Sequence, residues 1–600
     1  MSGPVKASSW IIGALSTAFI AGGIALLESP SLHPLALQVI AILRDADSVS
    51  FWSDKLQWVG VELVVLGIIF LAGSQIVIYK EIYLAKNWRQ TAVTATAMIV
   101  LVALWLPIII FGHSAEIGGE RYWWLGDDAM ISMRYAHNLA NGDGLVWNAG
   151  EYIEGYTNFL WTVIMAGVHL LPVSLAKTSL LVLLINLGLT VLAIPIIQRI
   201  VEALGGDTKV LAASLFVFVL NENIMFWTTA GFETMLLTLL LLLSVERIIA
   251  DWKVNKPRFL TYLSIAAIAL VRADGLIIST LCFLLAIYLS KQKMAVIKLF
   301  AIALLIPAAH VAFRYFYYGD LLPNTAYLKA LHWHGKYTAG TAYLFGFVKT
   351  FLPLIVLALW GMFKAHKRML YGMFGLIFLY GTYITLVGGD VFTHYRFFVP
   401  ILPLLSIMAF TTIFMVLKQT KVQWVTLAAV LLFVPLIIPG YSGTLFSRDA
   451  DKGNVEIGLL LNKNTPEGTK VADFWAGSVF YFSERYAIDL LGKSDKHIAH
   501  QSAKENSLLP GHNKFDFNYS LGEIEPDFIV ASFKLPVDES KLQQYMAEGF
   551  LFTPMLVLNE IFRQEYYSHP VEADTWRTIF ANSKRINDFN MAWNTQALQR

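Results

Sequence analysis

The chain has 600 residues, of which 56% are hydrophobic and only 15% charged, against roughly 25% charged in an ordinary soluble domain. Apolar runs of about 18 or more residues recur along the first three quarters, the mark of a polytopic α-helical membrane protein. The formal net charge of +2 carries no information about partners, and the single cysteine, Cys282, excludes disulfides and thiolate metal sites within one chain.

Only Lys6 precedes the first apolar run, which begins at Trp10, and no A-x-A-like site follows, so the run reads as an uncleaved span and not as a signal peptide. About thirteen spans are expected, near residues 10–27, 57–79, 91–112, 178–200, 210–227, 235–250, 259–271, 275–290, 295–317, 344–362, 370–387, 397–417 and 422–440. The short basic loops KEIYLAKNWRQ, DWKVNKPR, SKQK, KAHKR and KQTK fall on one side if the N-terminus is cytoplasmic. An odd span count then places the C-terminal part outside. The apolar stretch FLWTVIMAGVHLLPV (159–173) is short, and counting it as a span would invert every later loop. It reads as a re-entrant or interfacial helix beside a watery cavity.

The chemically conspicuous residues then share the outer face. They lie in the first outer loop (113–158), in WTTAGFETM, VRADG, RYFYYGDLLPNTAYLKALHWHGKY and GGDVFTHYRFF, and in everything after about residue 441. That last part has soluble composition. TKVADF, RYAIDLL and PDFIVAS read as strands around a helical AGSVFYFSE, which suggests a small α/β domain. Three units follow: an extra N-terminal hairpin (1–90), a helical membrane module (91–440) and a soluble α/β domain (441–600).

Several residues carry two readings. One of Asp127 and Asp128 could cap the helix AMISMRYAHNLAN. Adjacent carboxylates at a membrane surface could also bind a divalent cation, or supply a general base. Arg272, Arg314, Lys329 and Arg396 are either snorkelling cations or partners of a phosphate. Arg396 is the best phosphate candidate, because THYRFF sets it beside His394, Tyr395 and aromatics. Glu154 and Glu233 could be first-turn carboxylates of helices, and Asp274 could simply pair with Arg272. His332 and His334 are weak metal evidence on their own, and Trp123 and Trp124 read as markers of the membrane interface. No Walker loop or dinucleotide fingerprint is present, and nothing points to nucleic acid.

The stretch DDAMISMRYAHNLANGDGLVWNAGEYIEGYTNFLW resembles the first outer loop of the C-type (GT-C) membrane glycosyltransferases, and more narrowly the mycobacterial terminal arabinofuranosyltransferases and related pilin arabinosyltransferases. The resemblance continues through GFETM, RADG, YYGDLLPNT with Lys329, GGDVFTHYRFFVP, VADFWAGSVFYFSERYAIDLLGKSD and PGHNKFD, roughly residues 120 to 530. The chain departs from that family at its start, with three spans before the aspartates where the family usually has one.

The resemblance implies a GT-C-like helical bundle with its active site at the outer leaflet of a bacterial inner membrane. It implies a polyprenyl-phosphate sugar donor, with D-arabinofuranose one such sugar, and a periplasmic glycan, lipid or glycoprotein acceptor. Asp127 is expected as the base and Asp128 as an orienting residue. The pair is also the candidate ligand set for Mg, Mn or Ca. Arg396, Arg314, Lys329 and Arg272 are expected at the donor phosphate. Arg134, His137, Glu154, Tyr156, Glu233, Asn324 and His394 are expected at the sugar or acceptor. The rival reading from another class is a transporter or flippase of lipid-linked sugars. It would be expected to place polar groups at the midplane of broken helices in paired halves, whereas here the polar motifs stand at span ends.

Overall fold

The computed structural model describes residues 88–330, 335–365, 367–392, 394–434, 448–504, 511–533, 535, 537–547, 551–572 and 577–584. The spans expected near 10–27 and 57–79, the N-terminal hairpin up to residue 87, and His332 and His334 lie outside the described residues. Among the described residues, six helices are long and apolar enough to cross a bilayer: Trp88–Gly112, Leu175–Ala203, Lys293–Tyr318, Lys336–Lys364, Arg368–Val387 and Val399–Val416. The expected spans near 210–227, 259–271 and 275–290 appear as shorter apolar helices, Thr208–Leu220, Phe259–Val271 and Gly275–Leu289. Phe159–His169 is a helix of 11 residues, too short to cross a bilayer.

Between the first two long helices stands the segment that matters most. A hairpin of β1 (Ser114–Ile117) and β2 (Glu120–Trp123) pairs Ile117 with Glu120. Its two turn residues, Gly118 and Gly119, both have positive φ, as a type I′ turn requires. The hairpin directs Trp123 and Trp124 into the core, where each is at most 2% exposed. They are therefore packing residues and not an interface belt. Helix α1 (Asp127–Asn141) follows, capped at its N-terminus by Gly126 without a side-chain hydrogen bond and closed by Gly142 in the left-handed region. Neither aspartate caps it. Both stand in its first turn, where the helix dipole favours a carboxylate.

Two further helices reach the site. Helix α2 (Asn324–Ala330) lies in a loop between long helices. Helix α3 (Arg448–Asn464) leads into a five-stranded sheet of order β4-β3-β5-β7-β6. In it β3 (Lys470–Asp473) runs parallel to β4 (Tyr486–Asp489) and β5 (Phe528–Ala531), while β7 (Thr578–Ala581) is antiparallel to β5 and to β6 (Pro570–Glu572). Helix α4 (Ser478–Ser483) connects β3 to β4.

The central strand β5 is buried throughout, as a strand covered on both faces must be. One face packs on Phe515, Phe517, Leu556, Phe562 and Tyr566. The other packs on Ile457, Leu461 and Phe480, in a cluster that also holds Tyr135 and Trp147 of the first outer loop. The sheet thus shares a core with α1.

At its centre Arg577, 1% exposed, donates from Nη1 to Asp473 Oδ2 at 2.9 Å and to Asn454 Oδ1 at 3.0 Å, and from Nη2 to the carbonyl of Val530 at 3.0 Å. Breaking one side of a buried pair strands the other charge at a cost of roughly 3–5 kcal/mol. Arg577→Ala is therefore expected to lower the thermal midpoint of the purified chain steeply, whereas Lys584→Ala, at an exposed pair, should leave it nearly unchanged.

Candidate active site

A cavity of about 310 Å³ opens where the polar stretches meet. Its wall includes Asp128, Ser132, Tyr156 and Asn158 from the first loop, Glu233, Arg272 and Asp274, Lys329 from α2, Asp390 and Arg396, and then Lys493 and His512 from the C-terminal segment. Its charges nearly cancel in pairs. Lys493 Nζ donates to Asp128 Oδ1 at 2.8 Å. Arg272 Nη2 donates to Asp274 Oδ2 at 2.6 Å, and its Nη1 lies 3.9 Å from Glu233. Arg396 donates from Nε and Nη2 to the two oxygens of Asp390, at 2.9 and 3.2 Å. Among the described residues, Lys329 is the cation on this wall with no carboxylate at ion-pair distance. Its side chain is exposed to the cavity, and the surrounding protein, with the charges of Arg396 and Lys493, lowers its pKa against the pull of Asp128 and Asp390.

Arg396 is held firmly. Its guanidinium stands about 5 Å from the rings of Trp227, Phe232, Phe392 and Phe397 (4.9–5.5 Å). Tyr395, just before it, has a φ of 47°, and Trp227 Nε1 ties down the carbonyl of His394 at 2.7 Å. Asn186 fixes the neighbouring GFE turn by donating to the carbonyls of Thr228 and Phe232, at 2.9 and 3.1 Å.

The two aspartates have different surroundings. Asp128 faces the cavity. Burial alone would raise its pKa, but Lys493, with Lys329, outweighs that and holds the carboxyl well below the usual range. Asp127 is absent from the cavity wall. Its Oδ1 accepts the N–H of Ser478 at 2.9 Å and lies 3.5 Å from Asn454 Nδ2. Burial pushes its carboxyl up, with Ser478 and Lys493 pulling the other way. An ammonium seated on Asp128, and an Asp127 turned to a backbone N–H, do not fit the donor set of a divalent cation. Among the described residues, no three His, Cys, Asp or Glu gather as ligands.

Several residues expected at the sugar, acceptor or phosphate stand outside the cavity wall, each because another group claims it. Arg134 donates to the carbonyls of Trp147 (2.8 Å), Phe480 (2.7 Å) and Arg485 (2.8 Å) and to Asn148 Oδ1 (3.0 Å). It is a buried strut between α1 and the sheet. Glu154 and Arg314 form a buried pair, with Arg314 Nη2 3.0 Å from Oε1. His137 faces Glu484 at 3.7 Å. His394 faces Glu222 at 3.4 Å and stacks on Phe226. Asn324 donates from Nδ2 to the carbonyls of Gly492, Lys493 and Asp495, at 3.0, 3.1 and 3.0 Å. Tyr156 and Glu233 do line the cavity.

Lys493, Asp390 and His512 are site residues that sequence reasoning missed. LLGKSD offers a weak signal for Lys493, a lone lysine after an acidic strand end. Asp489, which ends β4, receives the N–H groups of Leu491 (3.0 Å) and Ser494 (2.7 Å) and so shapes the turn that carries it. Gly155 lets that turn approach, since a Cβ there would sit 2.2 Å from Ser494 Oγ. Gly477 does the same for α4, since its Cβ would sit 2.0 Å from the carbonyl oxygen of Asp127.

The chain resembles known proteins in sequence and in fold. The chain is 25% identical over 275 residues to the terminal beta-(1->2)-arabinofuranosyltransferase of Mycobacterium tuberculosis, a match covering 43% of each chain. A match to the Corynebacterium glutamicum protein of the same name is 38% identical over 61 residues, 10% of this chain and 9% of that one. The matches thus span less than half the length of these relatives. The crystal structure of ArnT from Cupriavidus metallidurans bound to undecaprenyl phosphate superposes with a TM-score of 0.52 at 13% identity, over 81% of this chain and 97% of that one. The chain shares the fold of ArnT. That is the GT-C membrane glycosyltransferase fold, and the chain resembles the terminal arabinofuranosyltransferases within it. A model described as Domain of unknown function (DUF8728) matches residues 446–584, the segment that carries Lys493 and His512.

The seam between that segment and α1 should respond to pH. Burial, with the charge of Asp127, pushes the Asp451 carboxyl up to about 7, from about 3.9 in an unfolded chain. The folded state therefore binds the extra proton between these values, and stability falls as pH rises from about 4 through 7. The thermal midpoint is expected to be lower at pH 7.5 than at pH 5.5. Asp451→Asn should raise it at pH 7.5 and shrink the difference.

Proposed function

We propose that this chain is a glycosyltransferase of a bacterial inner membrane that moves a sugar, D-arabinofuranose by the resemblance of its motifs, from a polyprenyl-phosphate donor to a glycan, lipid or protein acceptor on the periplasmic side. The observation that carries the proposal is the charge distribution of the cavity. Three of its cations are neutralised by carboxylates on the same wall, while Lys329 is left to receive an anion beside the carboxylate of Asp128. The names of the arabinofuranosyltransferase relatives support the choice of sugar, and the undecaprenyl phosphate bound by ArnT supports the choice of lipid phosphate.

In this reading the donor phosphate binds Lys329, with the N–H groups of Arg396 and Arg272 close by on the same wall, each already paired with a carboxylate. Tyr156, Glu233 and Asn158 meet hydroxyls of the sugar or acceptor. The acceptor hydroxyl attacks the anomeric carbon, its proton passes to Asp128, and the bond from that carbon to the phosphate oxygen breaks with its electron pair on the phosphate. Asp127 is a positioning residue that joins α1 to α4. This reading gives Asp128 the role of base first expected of Asp127, and the place of Asp128 on the cavity wall supports it.

Transfer by the purified chain, from a synthetic polyprenyl-phosphate arabinofuranose to an arabinan oligosaccharide, tests the reading. Asp128→Asn should lower kcat by about 10²–10⁴-fold. Asp127→Asn should be milder in rate and show itself as a lowered thermal midpoint. A severe Asp127→Asn beside a mild Asp128→Asn would overturn the assignment. Lys329→Ala should raise the donor KM by roughly 10–100-fold, the worth of a charge-assisted contact of about 1.5–3 kcal/mol.

The orientation is checked separately. A reporter joined within KAHKR should read cytoplasmic, and one joined after residue 445 periplasmic. The opposite pattern would move the cavity to the wrong face.

A further inference from the structure

We propose that Lys493, carried by the segment matched to a domain of unknown function, is a catalytic residue that holds Asp128 before transfer and turns to the leaving phosphate once Asp128 has taken the acceptor's proton. The proposal rests on the transferase reading above and adds to it a task for the C-terminal segment.

The geometry supplies the parts. Lys493 is 5% exposed, yet it lines the cavity and reaches Asp128 at 2.8 Å. An ammonium so enclosed must keep an anionic partner. Behind it stands Asp489, whose two oxygens already receive the N–H groups of Leu491 and Ser494. Asp128 is therefore its direct partner, and protonation of Asp128 removes that partner. In the same event the phosphate oxygen released from the anomeric carbon gains negative charge inside the same cavity.

The balance is complete within the reaction. The acceptor O–H bond breaks and its proton goes to Asp128. The acceptor oxygen bonds to the anomeric carbon, and the carbon–phosphate-oxygen bond breaks with its pair on the phosphate. No further reactant is needed, and the positive charge of Lys493 passes from one anion to the other.

The turn around Lys493 is fixed, and its side chain borders the cavity. Asn324 holds the carbonyls of residues 492, 493 and 495, and Gly155 admits the turn against the first loop. A lysine on a flexible stem with three rotatable donors suits an exchange of partners. The planar fork of an arginine, like that of Arg396 on Asp390, suits a fixed bidentate pair.

A double-mutant cycle on the full-length chain in lipid nanodiscs tests the exchange, with binding of undecaprenyl phosphate, a model of the leaving group, as the readout. Asp128→Asn imitates the protonated carboxyl in shape and charge. It should tighten binding about tenfold in the wild-type background, and Lys493→Met alone should weaken it about tenfold. The tightening by Asp128→Asn should vanish when Lys493 is Met, and persist when Lys493 is Arg. Lys493→Gln is carried alongside, so that misfolding of the Met variant leaves a neutral variant to complete the cycle. Equal tightening with and without the lysine would mean only the loss of a repelling carboxylate, and would overturn the exchange while leaving the transferase reading intact. The exchange is equally overturned if Asp128→Asn tightens nothing. A wild-type chain that binds no undecaprenyl phosphate would overturn the transferase reading itself, and this proposal with it.

Discussion

The guanidinium of Arg134 is the interaction on which the site depends. It is buried in the helix that begins with the two aspartates, yet most of its hydrogen bonds go elsewhere: to Trp147 and Asn148 of the first loop and to the carbonyls of Phe480 and Arg485. A buried charge must be satisfied on every side, so α1, the GLVWN turn and the sheet are drawn to one point. From that point Asp127 reaches Ser478, Trp147 Nε1 reaches the carbonyl of Ala487 at 3.1 Å, and β4 runs on to the turn that carries Lys493. Remove the strut and the cavity loses one wall.

The cavity follows a second rule, that strong charges are supplied already paired. Arg272 and Arg396 are fixed by Asp274 and Asp390 and packed against aromatic rings, so they shape the wall and are not free to move. The two lysines are the adjustable part. The contrast between forked and flexible cations divides the wall into a frame and working groups.

Much of this was legible in sequence, and for identifiable reasons. DDAMIS, EGYTN, GFETM, RADG and GGDV stood out because charged and glycine-rich stretches are conspicuous at the ends of apolar runs, and the cavity wall draws on all of them. The strands in TKVADF, RYAIDLL and PDFIVAS were visible as short apolar runs. Partnership was not legible. Nothing local distinguishes Arg134, a strut, from Arg396, a cavity wall, because each is an arginine next to a tyrosine, Tyr135 and Tyr395. Trp123 and Trp124 read as interfacial because tryptophan favours that depth, although the Gly118–Gly119 turn that sends them inward was present in the sequence. Lys493 and Asp128 are separated by 365 positions, and no periodicity reports a contact at that range.

That separation also orders events in time. Each helix of the membrane module can insert as it is made, but the acidic face of α1 has no ammonium to meet until β3 and β4 have formed and paired. Closing so long a loop is entropically tolerable, since the cost grows only with the logarithm of its length, but it comes late, after the local contacts. The chain therefore carries an unfinished cavity through most of its biogenesis, and the docking of a single sheet supplies the wall it lacks.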